Sequence, residues 1–387
     1  MENTRIGKAE AISLILTIMI NHAIFNISKA MLSSTGSSAL LNTIYISIIA
    51  LILSYIIYIL LKKFPTFDII DISNFLGGKF LKTIIAVLFF AYFIFFSATL
   101  LKNFVYALQI IYYPNTNAFF IIITFLIAAV FVCNLKYDAI YRSNLLTIPL
   151  VIISILVLFL GNTGQFTFQN IFPLLGNGVT ETFFYGLSNL FAFQGLLYIL
   201  FLPPHLKDIT ELRKITTFSI LFSALYLITC VSIILLLFDI EVTNTLLMPL
   251  YSAVRYIEFG TFFQRLDSVF VLTWIISFVS YLSITINICC NIFKKVTNIK
   301  SNKFPTIFVA FLMLVVTFFS TTYALSTFFT EIVYKYVFFT MLGISLFILL
   351  VAFIYKNVRN KSSNKLSCNQ NTLHGGAQWL INFQNFF

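Results

Sequence analysis

The feature that most constrains this chain is the recurrence of apolar stretches of about 20 residues, the length that spans a bilayer as a helix, as far as residue 355. Hydrophobic residues make up 60% of the sequence and charged residues only 10%, whereas soluble proteins contain about 25% charged residues. A core surrounded by water has no room for so many long apolar runs. The sequence therefore predicts an all-α integral membrane protein built as one polytopic bundle.

Breaks rich in charged residues, Pro, Gly or Asn divide the apolar sequence into about ten predicted transmembrane helices. The spans lie near 9–31, 38–61, 81–107, 116–135, 141–161, 181–203, 215–238, 266–293, 304–325 and 333–355. Between the second and third spans, residues 62–80 mix apolar and charged side chains ahead of Gly77-Gly78, which predicts a short interfacial helix with a glycine stop. Residues 356–387 form a polar tail.

Lys and Arg in short loops are retained on the cytoplasmic side of a membrane. If the N-terminus lies inside, 19 of the 24 basic residues fall in inner segments, and five fall outside or near the outer ends of spans. This asymmetry predicts an even number of spans and both termini in the cytoplasm. Polar residues interrupt the first apolar span and no small-residue cleavage site follows it, so we expect no removable signal peptide.

Polar side chains at lipid depth need partners and often mark functional sites. Two groups of them comprise Asn21, His22 and Asn26 in the first span, and Ser188, Asn189, Gln194 and Gly195 in the sixth. Their similar depth in antiparallel helices is what a five-plus-five inverted repeat predicts, with repeats at about 9–161 and 181–355 and broken helices meeting at a ligand site. We expect freed backbone groups to help hold the ligand.

The alternative is that these side chains only hydrogen-bond between helices, which typically contributes about 1 kcal/mol each. The matching depth of the two polar groups favours a ligand cavity over hydrogen bonds that only join helices. His22 has the chemistry of a proton carrier, although a neutral, hydrogen-bonded histidine fits its apolar surroundings better. Because the other histidines, His205 and His374, lie in a loop and in the tail, and the five cysteines show no CxxC spacing, we predict no metal and no cofactor. No catalytic motif is recognisable, so we predict that the chain is not an enzyme.

Five segments occur in a distinctive order. They are KKFPTFDIIDISNFLGGKF (62–80), YPNTN (113–117), NIFPLLGNG (170–178), NLFAFQGLLYILFLPPHLKD (189–208) and RLDSVFVLTWIISF (265–278). Together they resemble the B subunit of bacterial spore germination receptors, a branch of the amino acid/polyamine/organocation transporter superfamily. The resemblance implies a ten-helix, LeuT-like inverted-repeat fold in the inner membrane of the spore. It also implies association with an A-type receptor subunit and a C-type lipoprotein subunit.

The sequence departs from the family pattern where a ligand would bind. Helix one of such proteins has a glycine at its break, where this chain has Asn21-His22. Helix six of such proteins often has an acidic residue, which this chain lacks; the sequence in that neighbourhood is Gln194-Gly195-Leu196. The predicted ligand-binding set consists of the seven residues of the two polar groups together with Phe193 and Trp274.

The leading hypothesis is a membrane subunit of a nutrient germinant receptor. A small germinant, an amino acid or similar, would bind between spans one, three, six and eight and help to trigger spore germination and ion release. One alternative is an autonomous amino-acid or cation symporter of the same fold. Another is a non-transporting membrane scaffold that holds partner subunits.

Overall fold

A computed structural model describes residues 6–135, 137–257, 266–319, 328–329 and 335–358. This part of the chain is helical and has no strand, apart from one isolated parallel bridge between Ile6 and Leu206. Within it, six helical stretches are long and apolar enough to cross a membrane: Ser28–Leu61, Ile69–Ile111, Tyr141–Gln165, Glu211–Leu237, Asp267–Thr297 and Lys335–Val358. Two shorter apolar helices are Ala118–Asn134 and Lys303–Phe318. The predicted all-α membrane architecture is confirmed.

The first span changes its winding midway. Helix α1 (Lys8–His22) leads into a wider π-helical turn (Ala23–Ile27) and then into α2 (Ser28–Thr35). The span ends at Gly36, whose φ of +68° lies in the left-handed region that favours glycine. It runs further than the predicted 9–31 because the hydroxyls near its end, including that of Thr35, donate back to carbonyls of the preceding turn. Their polarity therefore does not stop the helix.

Helix α3 (Ala39–Leu61) shows how the bundle meets lipid. One face is exposed and apolar, formed by Ile44, Ile48, Ile52, Tyr55 and Ile59. Their spacing of three to four residues places them in one stripe along the helix. The opposite face is buried. An exposed stripe this apolar suits hydrocarbon.

Helix α4 (Ile69–Ile111) begins where the sequence predicts a short interfacial helix. The carboxylate of Asp68 caps it by accepting hydrogen bonds from the backbone N–H groups of Ile70 at 3.1 Å and Asp71 at 3.0 Å. The helix breaks at Gly77-Gly78, where Gly78 has a φ of +61°. It then resumes as the third span, so the predicted glycine stop is a kink.

The sixth span is the least regular. After α5 (Ala118–Asn134) and α6 (Tyr137–Gly161), a π-helical turn (Thr180–Phe184) leads into a 3₁₀ helix (Tyr185–Phe193) and the short α7 (Gly195–Ile199). A further 3₁₀ turn at Pro203–His205 ends the span, and Pro203 and Pro204 lack the backbone N–H groups that would continue a helix. The sixth span is thus helical along its length, with tighter and wider turns than an α-helix.

The described residues of the second half of the bundle form six more helices. They are α8 (Glu211–Leu237), α9 (Ile240–Thr245), α10 (Pro249–Arg255), α11 (Leu266–Thr297), α12 (Lys303–Phe319) and α13 (Lys335–Val358). The sequence analysis did not predict α9 and α10. The predicted span near 304–325 extends past Phe319 into residues outside the described part, and so does the tail from residue 359.

Helix α1 occupies the centre of the bundle. Its residues 13–22 are all buried, and it packs against α6, α7, α8 and α11. Helix α4 packs against α11 and α12, and α11 also packs against α5 and α6. Side chains near the end of α1 therefore face the interior of the protein.

One end of the bundle joins the beginnings of α1 and α4 to the end of α11. There the backbone N–H of Ile6 donates to the carbonyl of His205 at 2.9 Å, and Lys295 pairs with Asp68 and Asp71. We call this the N-terminal end of the bundle.

Two titratable groups at this end have shifted pKa values. Burial raises the pKa of Asp68 to about 6. Burial, aided by the charges of Lys295 and Lys294, lowers the pKa of His205 to about 4.

Candidate functional site

Asn21 links the central helix to α11. Its side-chain amide Nδ2 donates to the carbonyl of Thr17 at 2.7 Å and to the hydroxyl Oγ of Ser277 at 2.9 Å. Its carbonyl Oδ1 is buried and has no hydrogen-bond partner within the described residues. One acceptor of Asn21 is therefore left for another group.

His22 is the next residue, and aromatic rings surround it. Its imidazole stacks on Phe96 of α4 with ring centroids 4.5 Å apart, and it meets the edges of Tyr281 at 5.8 Å and Phe191 at 6.2 Å. The Nε2 atom is buried without a hydrogen-bond partner in the described part of the chain. The π-helical turn begins directly after this residue, so His22 stands where the winding of the first span widens.

Gln194 stands at the junction between the 3₁₀ helix of the sixth span and α7. Its Oε1 accepts a hydrogen bond from the hydroxyl of Tyr92 at 3.2 Å. Its Nε2 is buried without a partner among the described residues. Beside it, the backbone of Gly195 lies so close to α1 that an added Cβ would come within 2.5 Å of the Met19 side chain.

These side chains form one contiguous group, which we call the core cluster: Asn21, His22, Tyr92, Phe96, Ser97, Phe191, Gln194, Ser277 and Tyr281. The ring of Phe96 contacts both His22 and Tyr92, and Tyr92 reaches Gln194. The hydroxyls of Ser97 and Tyr281 lie 3.1 Å apart. Asn21 precedes His22 in α1, and its partner Ser277 lies about one turn from Tyr281, which contacts His22. The predicted residues Asn21, His22 and Gln194 thus belong to one network of contacts among the first, third, sixth and eighth spans.

Asn189 belongs to a different group of contacts. Its amide donates to Oδ1 of Asn42 at 2.9 Å and to the hydroxyl of Ser34 at 3.2 Å. Asn42 in turn donates to the carbonyl of Thr182 at 2.8 Å. These hydrogen bonds tie the sixth span to α2 and α3. The neighbouring Ser188 is half-buried.

Three other predicted residues lie near or outside these groups. Phe193 is buried at the last position of the 3₁₀ helix, directly before Gln194. Trp274 is buried against Phe270, with ring centroids 4.4 Å apart, about one turn from Ser277. The side chain of Asn26 lies outside the described part of the structure.

The sequence analysis placed the ligand between spans one, three, six and eight, but it did not name the polar residues that α4 and α11 contribute. Tyr92 and Ser97 on α4, and Ser277 and Tyr281 on α11, place hydroxyls in the core cluster. Their signal was the presence of polar atoms within long apolar runs, and Ser277 and Tyr281 also have the i, i+4 spacing of one helix face. Asn103, about two turns beyond Phe96, is a further buried amide with no partner among the described residues.

The described residues contain no group of three or more His, Cys, Asp or Glu side chains that could hold a metal ion. The buried side chains with a formal charge in this part of the chain are Asp68 and Lys294. Both lie at the N-terminal end of the bundle. Lys294 is about 20 Å along α11 from Tyr281. What the described residues of the core cluster offer is hydrogen bonding and aromatic contact.

Comparison with known proteins identifies relatives along most of the chain. The model of the spore permease family, described as spore germination protein, matches residues 5–328. Spore germination protein GerQB of Bacillus cereus is 22% identical over 262 residues, covering 67% of this chain and 72% of the relative. Spore germination protein YndE of Bacillus subtilis is 23% identical over 287 residues, covering 73% and 78%. Spore germination protein KB of Bacillus subtilis is 22% identical over 297 residues, covering 71% and 74%.

Solved structures with the same fold are membrane transporters. A Na⁺-coupled sialic acid symporter in a substrate-bound, outward-open state superposes with a TM-score of 0.62 at 11% identity, covering 90% of this chain and 79% of the symporter. A manganese transporter from Eremococcus coleocola superposes with a TM-score of 0.54 at 10% identity, covering 90% and 77%. The predicted LeuT-like fold of an integral membrane protein is confirmed.

Proposed function

Because the chain belongs to the spore germination protein family, we propose that it is a membrane subunit of a nutrient germinant receptor. A small germinant binds at the core cluster, and its binding helps to trigger spore germination and ion release. The observation that supports this site is the set of unpartnered polar atoms on Asn21, His22 and Gln194. Each such atom costs about 1–3 kcal/mol when buried alone, and a ligand that pairs with them removes this cost.

In the proposed receptor the chain works beside an A-type subunit and a C-type lipoprotein subunit. It lies in the inner membrane of the spore, with both termini in the cytoplasm. The charge pattern supports this orientation, since Lys8, Lys294 and Lys295 gather at the N-terminal end of the bundle. The apolar stripe of α3 faces the lipid bilayer.

The test is a germination dose–response measurement in the host. Asn21→Ala and Gln194→Ala each remove a side chain that pairs with the germinant, so the half-maximal germinant concentration should rise roughly 5- to 150-fold. Thr273→Ala is the matched control, because Thr273 is half-buried and its hydroxyl donates only to the Val269 carbonyl of its own helix, and it should leave the response unchanged. Receptor abundance is measured by immunoblot in each strain.

Wild-type half-maximal concentrations in both alanine variants would mean that the cluster only joins helices. Unaltered germination on every nutrient after deletion of the gene, in a host without a second copy, would contradict the receptor role itself.

The second candidate is an autonomous symporter, which the similarity to two transporter structures favours. Uptake of labelled amino acids into proteoliposomes that contain this chain alone, driven by an imposed ion gradient, would support it. A receptor subunit should show no such uptake without its partners. A membrane scaffold, the third hypothesis, should show neither uptake nor altered dose–response in the alanine variants.

A further inference from the structure

Three lysines from the ends of two helices lie together at the N-terminal end of the bundle. Lys62 and Lys63 directly follow the last residue of α3, and Lys356 lies in the last turn of α13. The ammonium Nζ of Lys356 donates to the carbonyl of Lys63 at 2.5 Å. Because both helices reach the end of a span here, the lysines lie at the level where the bilayer meets water. We call these three residues the basic patch.

Aromatic rings hold two of the ammonium groups in place. The Nζ of Lys356 lies 4.5 Å from the ring centroid of Phe64, and the Nζ of Lys63 lies 5.8 Å from that of Phe353. Both distances are within the range of a cation–π contact. The ring of Phe64 is itself buried, and it meets the edge of Phe75 on α4 at 5.9 Å. The two charges are therefore positioned by the packing beneath them.

No carboxylate neutralises the basic patch in the part of the chain that the structure describes. The ion pairs formed there leave out all three lysines. The acidic residues that follow α3 in sequence, Asp68 and Asp71, pair with Lys295 instead. The sequence has no Asp or Glu in residues 11–67 or 332–387. Like charges that gather in this way repel each other, and an anion bound between them relieves the repulsion.

Exposed apolar surface leads up to the basic patch on both helices. The lipid-facing stripe of α3 continues through Tyr55 and Ile59 to within one turn of Lys62. Helix α13 exposes Phe347, Leu350 and Ile354, whose spacing of three and four residues forms a second stripe that ends near Lys356. Acyl chains match these stripes, whereas a free phosphate ion would leave them without a partner.

A molecule with an anionic head and acyl chains matches the charge, the position and the apolar stripes together. We propose that the basic patch binds the phosphate of an anionic phospholipid of the phosphatidylglycerol type, with its acyl chains along α3 and α13. Basic groups at the ends of membrane spans recognise anionic headgroups by this chemistry. The bound lipid joins the ends of the two helices beside the loop that leads to Asp68, the residue that caps α4.

The test is a lipid titration of the purified, delipidated full-length chain in detergent, with bound lipids counted by native mass spectrometry. Phosphatidylglycerol should bind saturably and more tightly than phosphatidylcholine with the same acyl chains. The double variant Lys63→Gln/Lys356→Gln should weaken phosphatidylglycerol binding by about 25-fold, at about 5-fold for each lysine. Lys63→Arg/Lys356→Arg keeps both charges and should retain the binding. Lys300→Gln, at an exposed position beyond α11, is the matched control and should bind as the wild type does.

Four results would overturn the inference. Equal binding of the two lipids would show that the headgroup charge is not recognised. An unchanged preference for phosphatidylglycerol in the double Gln variant would place the lipid elsewhere, and an equal loss in Lys300→Gln would reduce the effect to general charge. Displacement of the lipid by excess inorganic phosphate would identify a phosphate-ion site. Unfolding midpoints without added lipid check that each variant is folded, and the Arg variant separates loss of charge from loss of fold.

Discussion

The ammonium Nζ of Lys295 lies 2.6 Å from the carboxylate Oδ2 of Asp68, so the last turn of α11 is joined to the residue that caps α4. Lys295 also pairs with Asp71, and the carbonyl of Lys295 accepts a hydrogen bond from Lys82 at 2.6 Å. The third and eighth spans both line the core cluster. Their relative position is therefore held at the N-terminal end of the bundle by an ion pair that is largely shielded from solvent.

Lys295→Met should destabilise the protein strongly. It leaves two carboxylates in a poorly solvated position without their cation, a loss on the order of 3 kcal/mol in the free energy of unfolding. Adding Asp68→Asn should restore part of this loss. Lys300→Met, at an exposed position just beyond α11, is the control. Thermal unfolding midpoints in detergent are compared for the wild type, the two single Lys variants and the double variant. Equal midpoints for Lys295→Met and Lys300→Met would contradict the buried ion pair.

The N-terminal end of the bundle should respond to pH in two opposing ways. The pKa of Asp68 is raised from 3.8 to about 6, so the stability that it contributes is complete below the unfolded value and is lost as the pH rises through about 6. The pKa of His205 is lowered from 6.5 to about 4, so its contribution is present above 6.5 and is lost as the pH falls toward 4.

Unfolding midpoints at pH about 7 and about 5 separate these two groups. On acidification, Asp68→Asn should lose stability relative to the wild type, because it lacks the carboxyl that takes up a proton in the folded state. His205→Gln should gain relative to the wild type, because its unfolded chain lacks the imidazole. Equal shifts in all three proteins would show that neither group is buried as the structure places it.

Gly195→Ala should disturb the contact between α7 and α1. A Cβ there would approach the Cε of Met19 to 2.5 Å and the Cγ2 of Ile15 to 3.2 Å, and such overpacking costs about 1–3 kcal/mol. Gly343→Ala places the same methyl group on a helix where nothing lies within 4 Å, so it should be neutral or slightly stabilising. Unfolding midpoints compare the two variants, and equal values would refute the close approach of these helices.

Asn189→Ala should reduce stability without changing the response to germinant. It removes hydrogen bonds to Asn42 and Ser34, a loss of about 1 kcal/mol. A double-mutant cycle with Asn42→Ala should show coupling, since the two side chains are in contact. A rise in the half-maximal germinant concentration as large as that of Gln194→Ala would instead assign Asn189 to the ligand site.

Cysteine labelling tests the orientation. Asn177 and Asn244 both contact the last turns of α2, at the opposite end of the bundle from Asn298, which follows α11. In a chain whose native cysteines are replaced, cysteines at Asn177 and Asn244 should react with a membrane-impermeant reagent from outside. Cysteines at Asn298 and Ser362 should react only after the membrane is permeabilised. Labelling at position 298 in intact cells would contradict the predicted topology, because it would place the end of α11 outside the membrane.

The spans were predictable because lipid requires apolar residues on every outward face, as the stripe of α3 shows. The burial of Asn21 and Gln194 was predictable from their positions well inside apolar spans. The direction in which each side chain points could not be predicted from the sequence. Asn189 and Gln194 are five residues apart along the 3₁₀ helix of the sixth span, which turns them by about 120° from each other. One therefore faces α3 and the other faces α4, although both are polar and lie in the same span.

The short helices α9 and α10 escaped prediction for another reason. Their charged residues suggest a solvated rim, but Leu250, Ala253 and Val254 of α10 are buried against neighbouring helices. Propensity in so short a segment is weak, and packing decides its conformation. In the same way, the hydroxyls of Ser277 and Tyr281 looked like isolated polar groups in the sequence, and only the approach of α1 and α4 gives them partners.

The π-helical turn Ala23–Ile27 holds one residue more than an α-helical turn. If this surplus residue shifts along the helix, each position that it passes rotates by about 100° while the span remains continuous. His22, on one side of the turn, belongs to the core cluster. Lys29, on the other side, donates a hydrogen bond to the carbonyl of Leu246. We therefore expect the first span to permit a rotation that a regular α-helix does not, between a residue in the interior of the bundle and one that bonds to Leu246.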